Sequence, residues 1–460
     1  MKNQKLILKK NLSAIYNAPA RIIVYSFLLI ILLGGLLLSL PISSRDGVSS
    51  GLFNSLFTSA SATCVTGLVI FDTYTKWTLF GQLVILTLIQ IGGIGVITIS
   101  IFLYVLGGKK LGLRGMQLAK ESINITESEG LAELFKFIIK MTFLIEFLGA
   151  IILSFVFIKD FGFLKGWYIS VFLAISAFCN AGFDILGFQS PYCSLIYYNN
   201  NPIVILTISF LIILGGLGFI VWYDLLKNKK HKLLLHTKVV LLMTVILIFF
   251  GTVVFFVLEY NNPLTIKNLS LSEKLSAAFF QSVTLRTAGF CSIDFSSLKQ
   301  ITKAIALMIM FVGGAPGSTS GGIKVTTLAI LLMTVVSVIK NKPDTIILKH
   351  RVSKNIVYKS LSMLFLSLSI VLLGSVLVYY SVLSDEIVNV VNSMFETISA
   401  FSTVGVSTGV TEATGIFGKF ILILIMFVGR VGPISLLLSL AFKKSDDSHK
   451  ILPEGKIMVT

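Results

Sequence analysis

The chain has 460 residues, of which 55% are hydrophobic and only 13% charged, about half the charged share of a soluble domain. Its net charge of +17 is scattered over short segments between apolar runs and nowhere builds a basic domain. This speaks against a nucleic-acid binder and for a topology signal on a membrane protein, with attraction to anionic membrane lipids as a secondary effect.

In chain order, a basic N-terminus over residues 1–19 carries Lys2, Lys5, Lys9 and Lys10. The apolar run Ile22 to Leu40 follows. About 20 such residues cross a bilayer. No small-residue cleavage site lies behind the run, so it reads as a retained span and not as a signal peptide. The first unit, residues 20–106, continues with a short semi-apolar stretch, the segment SATCVTGL (Ser61 to Leu68) and a second span over 77–106. The same order recurs in 134–226 around SAFCNAGF (Ser176 to Phe183) and in 238–339 around SVTLRTAGF (Ser282 to Phe290). It recurs again in 356–441 around SAFSTVGV (Ser399 to Val406), before a C-terminal segment over 442–460.

The aligned glycines Gly67, Gly182, Gly289 and Gly405 repeat at a period of about 110 residues. The stretches before them, about 10–13 residues each, are too short to cross and read as re-entrant helices. Basic residues cluster at the N-terminus and after every second span, for instance Lys109, Lys110 and Arg114, then Lys227, Lys340 and Lys443. Short Lys/Arg-rich loops stay cytoplasmic. Both termini are therefore expected in the cytoplasm, with the glycine segments toward the outer side. The expected fold is an all-α membrane protein of four parallel span–pore loop–span repeats, eight transmembrane helices around a pseudo-fourfold central pore. Inverted-repeat carriers differ, because their halves point oppositely.

Non-helical backbone within a membrane survives only where it is buried or lines a watery cavity. A ring of backbone carbonyls can replace the hydration shell of K+, and glycine reaches backbone conformations that a Cβ penalises. The candidate ion-binding residues are therefore Cys64, Val65, Thr66 and Gly67, then Asn180, Ala181 and Gly182, then Thr287, Ala288 and Gly289, and finally Thr403, Val404 and Gly405. The bland alternative is small-residue helix contacts, which four segments at matched spacing disfavour. Asn180 breaks a threonine-rich pattern, so the ring is expected to be less regular than a symmetric one.

The second span of the third unit is interrupted by Gly313, Gly314, Ala315, Pro316, Gly317, Ser318, Thr319, Ser320, Gly321 and Gly322. Gly and Pro are the poorest helix formers, so a loop is expected here, either a gate or a static linker. It is not a phosphate-binding loop, since Ile323 separates Gly322 from Lys324. Arg430 lies inside the last span, and an intramembrane Arg usually faces an interior. It is expected to contact the loop, add a positive barrier, or both. Arg286 is expected to point away from the ion path and pair with a carboxylate, Glu396 being one candidate. Glu146 is expected in a hydrogen-bonded structural role. No acid/base or metal constellation such as HExxH occurs, which argues against an enzyme.

Several pieces are family-specific: CVTGL (Cys64 to Leu68), RTAGF (Arg286 to Phe290), GGAPGSTSGGIK (Gly313 to Lys324), GRVGP (Gly429 to Pro433) and PEGKIMVT from Pro453. In these, and over nearly its whole length, the chain resembles the Trk/Ktr/HKT superfamily of potassium transporters, and its KtrB branch in particular. The first span opens the first repeat directly, which also favours that branch. The resemblance implies a multi-pass subunit of a bacterial plasma membrane K+ uptake system. The four glycines would be filter residues, with Gly67 instead of Ser favouring K+ over Na+. The Gly313–Gly322 loop would be the gate, with Arg430 beside it. It further implies a homodimer and a cytoplasmic, nucleotide-binding, KtrA-like subunit of the RCK type. No cofactor would be bound by this chain itself, K+ would be the substrate and Na+ an activator. The competing expectation is a Na+-coupled secondary carrier, or a Na+-permeable member of the same superfamily.

Overall fold

A computed structural model of the chain describes residues 19–95, 98, 99, 101, 131–227, 233–382 and 389–440. The N-terminal lysines, Lys109, Lys110, Arg114, Lys443 and the PEGKIMVT ending lie outside the described residues.

The helices repeat one order. Each unit opens with a long apolar helix: Pro19–Ser39, Leu131–Phe161, Leu235–Glu259 and Lys354–Tyr379. These helices are long and apolar enough to cross a membrane. Their outer faces leave Leu29, Phe155, Phe249 and Phe365 exposed, as a lipid-facing surface requires. Next comes a short helix that cannot cross: Leu52–Thr63, Phe163–Phe178, Leu271–Thr284 and Val390–Ser402. The chain turns into the first two at Gly51 and Gly162, both at positive φ. The third starts on a capping box between Ser270 and Glu273, and the fourth on the Asn389 side chain, which accepts from Val391 N at 2.9 Å. Each short helix returns its C-terminus to the middle of the bundle, as a re-entrant segment does.

Small residues let the re-entrant helices sit close against the first spans. A Cβ on Gly34 would lie 2.5 Å from Ser59 Oγ, and one on Gly251 only 2.3 Å from Ser282 Oγ. Those two hydroxyls donate to the span carbonyls of Ile31 at 2.7 Å and Ile248 at 2.8 Å. Buried Ser and Thr thus concentrate on the re-entrant helices at the centre, while the apolar rim faces outward. This is the reverse of a soluble bundle.

The second spans depart from the sequence-based expectation, in which the third alone is interrupted. All four are broken. Leu79–Ile94 stops at Gly95 (φ 91), and Ile416–Val431 stops at Gly432 (φ 91) before Pro433–Leu440. Pro202–Leu217 and Phe219–Lys227 meet at Gly218 with a bend of 92°. In the third unit, Gln300–Phe311 and Val325–Ile339 flank the Gly-rich loop. The cause is local. Gly92, Gly215 and Gly429 press on the ends of the re-entrant helices, where a Cβ would lie 2.1 Å from Thr63 O, 1.9 Å from Phe178 O and 1.8 Å from Phe401 O. Three residues further on, another glycine supplies the positive φ that an L side chain resists. The signal is the recurring GGIG, GGLG and GRVG, from Gly92, Gly215 and Gly429.

The strands among the described residues form one small hairpin, Ile346–Ile347 with His350–Arg351. Neighbouring glycines give a discriminating test of the packing. Gly215→Ala is expected to lower the thermal unfolding temperature of the detergent-purified protein, because overpacking of this kind costs about 1–3 kcal/mol or more. Gly216→Ala, whose Cβ would meet nothing nearer than 3.5 Å, is expected to leave that temperature nearly unchanged.

Candidate cation path

The four sequence-aligned glycines meet. A Cβ on Gly67 would lie 2.5 Å from Ala181 O, and one on Gly182 would lie 2.8 Å from Ala288 O. One on Gly289 would lie 2.7 Å from Val404 O, and one on Gly405 only 2.0 Å from Thr66 O. Each glycine therefore abuts the residue preceding the next glycine, and the fourth abuts the first. The segments close into a ring in chain order, with no room for a side chain at its inner edge. All four glycines have positive φ, between 68° at Gly182 and 94° at Gly67. Two residues before each one, Val65, Asn180, Thr287 and Thr403 also have positive φ, 58°, 60°, 74° and 54°. That is rare for non-glycine residues and strained for the β-branched ones. Cys64 stands one step earlier as the C-cap of its re-entrant helix, its side chain buried in an apolar cluster with Phe57 and Ala60.

The leading serines of the repeated segments hold this geometry. In three repeats the N–H before the glycine donates to a serine carbonyl at 2.8 Å: Thr66 to Ser61, Ala181 to Ser176 and Val404 to Ser399. Ser61 Oγ and Ser399 Oγ also accept from the N–H of Gly67 and Gly405, each at 3.1 Å. Ser399 Oγ in turn donates to Val406 O at 2.7 Å. In the third repeat Thr284 takes the place, Oγ1 donating to Phe290 O at 2.6 Å. N–H groups beside the ring glycines are thus taken up by oxygens at the ends of the re-entrant helices. The hydroxyls of Thr66, Ser176, Ser402 and Thr403 are buried around the ring without a protein partner, an arrangement that native cores avoid outside functional sites.

The Gly313–Gly322 loop lies against the ring on the side where the re-entrant helices end. Its neck is closed by a bridge between Val312 and Ile323, with Gly313 N donating to Ile323 O at 2.8 Å and Val325 N to Gly314 O at 3.1 Å. One flank fills the break in the second span of repeat two: Ala315 N donates to Gly216 O at 2.9 Å, and Phe219 N to Gly317 O at 3.0 Å. The other flank needs glycine, since Cβ atoms on Gly321 and Gly322 would lie 2.4 Å from Thr403 Oγ1 and 3.0 Å from Ser402 Oγ. Arg430 donates to the carbonyls of Thr319 and Gly92, and to Gly93 O at 3.4 Å. Lys324 donates to the carbonyls of Ser320 and Gly321. The sequence reading singled out Arg430 and missed this second cation. Its signal was a Lys placed immediately after a run that it can fold back upon.

The suggested pairing of Arg286 with Glu396 does not occur. Arg286 is 6% exposed and turns toward its own repeat's first span, where it donates to Thr244 Oγ1 at 3.4 Å while its Nε has no partner. Glu396 instead ties down the chain after the fourth glycine. It accepts from Ser407 Oγ at 2.9 Å, from Thr408 N at 3.4 Å and from Thr411 Oγ1. Glu146 is held by hydrogen bonds, both oxygens accepting from Gln90 Nε2 at 3.0 and 3.1 Å.

Comparison with known proteins supplies a frame for this geometry. A family profile described as "TrkH: Cation transport protein" matches residues 6–451. The chain is 40% identical over 440 residues to the Ktr system potassium uptake protein B of Bacillus subtilis, covering 95% of this chain and 96% of that protein. It is 38% identical over 445 residues to the potassium/sodium uptake protein NtpJ of Enterococcus hirae, covering 96% and 97%. Its fold is similar to the crystal structure of the potassium transporter TrkH from Vibrio parahaemolyticus, with a TM-score of 0.71 at 16% identity over 92% of this chain and 84% of that one.

The serine anchors can be tested against each other. Ser399→Ala removes two hydrogen bonds next to the ring and is expected to cost about 1–3 kcal/mol. Ser176→Ala removes a hydroxyl without a protein partner and is expected to cost little. Thermal unfolding of the two purified variants measures the contrast.

Proposed function

The chain belongs to the TrkH family of cation transport proteins, and on that premise we propose that it is the ion-translocating subunit of a K+ uptake system. In this reading the glycine ring is the selectivity filter and the Gly313–Gly322 loop is its gate. The closed ring carries the proposal: four segments without room for side chains, their N–H groups tied outward. Carbonyls of Thr66, Ala181, Ala288 and Val404, and of the glycines themselves, take the place of the water around K+. The C-terminal ends of the four re-entrant helices converge below, and their partial negative charge favours a cation there.

The loop and its two cations oppose passage. Arg430 and Lys324 fix the carbonyls of Thr319, Ser320 and Gly321, and their charge repels an ion leaving the ring. Opening requires the loop to move aside with these contacts broken. A membrane potential then drives uptake, at about 2.3 kcal/mol per charge per 100 mV, roughly a fifty-fold accumulation of a monovalent ion.

K+ is the cargo in this scheme and Na+ an activator. Both termini face the cytoplasm of the bacterial cell. The chain works as a homodimer beside a cytoplasmic nucleotide-binding subunit of the RCK type. One observation supports a separate subunit: a similar protein bears the name of a Ktr system.

Purified protein in proteoliposomes under an imposed potential is expected to pass K+ and Rb+ well ahead of Na+ and Li+. Flux that favours Na+, or that needs a second solute, overturns the reading. Gly67→Ser is expected to lower the K+/Na+ flux ratio. Deletion of residues 318–320 is expected to raise K+ flux several-fold, and unchanged or lower flux in folded protein removes the gate.

A further inference from the structure

Three of the four residues that precede the ring glycines by two positions touch the loop. Thr287 Cγ2 is 3.4 Å from the Cβ position of Gly313, and Thr403 Oγ1 is 2.4 Å from that of Gly321. The third, Asn180, reaches it with a hydrogen bond. Its amide orientation is assigned from its partners. With Nδ2 toward the carbonyls, it donates to Ala177 O at 3.0 Å and Ile212 O at 3.2 Å, and Oδ1 accepts from Ser320 Oγ at 3.0 Å. With the amide reversed, Nδ2 lies the same 3.0 Å from Ser320 Oγ and 3.4 Å from Thr287 Oγ1. In both orientations one fully buried side chain joins the ring to the loop.

We propose that Asn180 is a positioning residue that couples the gate loop to the filter, so that movement of Ser320 alters ion selectivity as well as access. The proposal rests on the cation-path reading above. Asn180 has φ 60°, a conformation that Asn tolerates better than the Val or Thr at the equivalent positions. Its amide therefore holds the second ring segment with little backbone strain. The amide is anchored to the end of the re-entrant helix at Ala177 and to the second span at Ile212, with Ser320 as the movable partner. When the loop departs, Oδ1 loses its donor while Nδ2 keeps its two carbonyl anchors. The second segment then presents different oxygen chemistry to the ion than it does with the loop in place. A loop acting only as a plug changes flux for every cation equally. A loop hydrogen-bonded to a ring residue changes the ratio between cations.

Ser320→Ala removes the donor from the loop without touching the ring, and Asn180→Gly removes the amide while keeping the positive φ accessible. Potential-driven K+ and Na+ fluxes are measured in proteoliposomes of the full chain, its Ser320→Ala and Asn180→Gly variants, and the double variant. Loss of one buried hydrogen bond, about 1 kcal/mol, predicts that Ser320→Ala shifts the K+/Na+ flux ratio about fivefold. Asn180→Gly is expected to shift it in the same direction. The double variant is expected to match the singles, as partners in one interaction do. If Ser320→Ala leaves the ratio unchanged, or if the two effects simply multiply in the double variant, the coupling is overturned. If the unaltered chain itself shows no K+-preferring flux, the cation-path reading fails and the coupling falls with it.

Discussion

Four glycine segments closed into a buried ring, with the N–H groups beside them bonded to oxygens at the helix ends, are the constraint on which the rest depends. An unpaired peptide group in a low-dielectric interior costs several kcal/mol, so the arrangement persists only if everything around it is satisfied. The serine carbonyls at the ends of the re-entrant helices do this for three repeats. The price is positive φ at two positions per repeat, held by dense packing from outside. Gly34, Gly92, Gly215, Gly251 and Gly429 are part of that packing. They bring the first and second spans close enough to clamp each re-entrant helix.

Departures from fourfold symmetry follow from the same geometry. The second spans break in every repeat, yet three breaks need one glycine and the third holds a ten-residue loop. That loop fills space the other repeats leave below the ring, so its neighbours must accommodate it. Repeat two offers the carbonyls of Gly215 and Gly216 and the N–H of Phe219. Repeat four replaces a glycine by Arg430: the pairs Gly92–Gly93 and Gly215–Gly216 correspond to Gly429–Arg430. The glycine at the equivalent place in repeat two meets the loop through its carbonyl, whereas the Arg side chain spans from Thr319 to Gly92 and joins three repeats at one guanidinium.

Much of this architecture is written in period and composition. The spans, the re-entrant helices and the four-repeat order follow from apolar length and from Gly67, Gly182, Gly289 and Gly405, because a bilayer imposes both length and backbone satisfaction. The breaks at Gly95, Gly218 and Gly432 were obscured because long apolar runs read as continuous helix. A single glycine inside such a run is a weak breaker unless its neighbours exclude a side chain, and those neighbours are remote in sequence. Arg286 and Glu396 were open to pairing by charge alone. Their separation depends on which way Arg286 turns just past the end of the third re-entrant helix, a tertiary fact. Lys324 and Asn180 show ordinary residue types whose significance comes from the carbonyls and hydroxyls folded next to them.

The closeness of loop and ring has a mechanical consequence. Gly321 fits against Thr403 only because it lacks a side chain, and Gly313 fits against Gly321 O for the same reason, with Thr287 in van der Waals contact beside it. Packed interiors respond to displacement as discrete rearrangements and not as smooth deformation. A loop in van der Waals contact with strained ring residues therefore cannot leave without changing the support beneath them. The positive φ at Thr287 and Thr403 is tolerated while the loop packs below, and its removal gives those residues freedom to relax. In the proposed scheme, access and selectivity are then two consequences of one movement. The loop proposed as the gate also braces the residues on which the glycine ring stands.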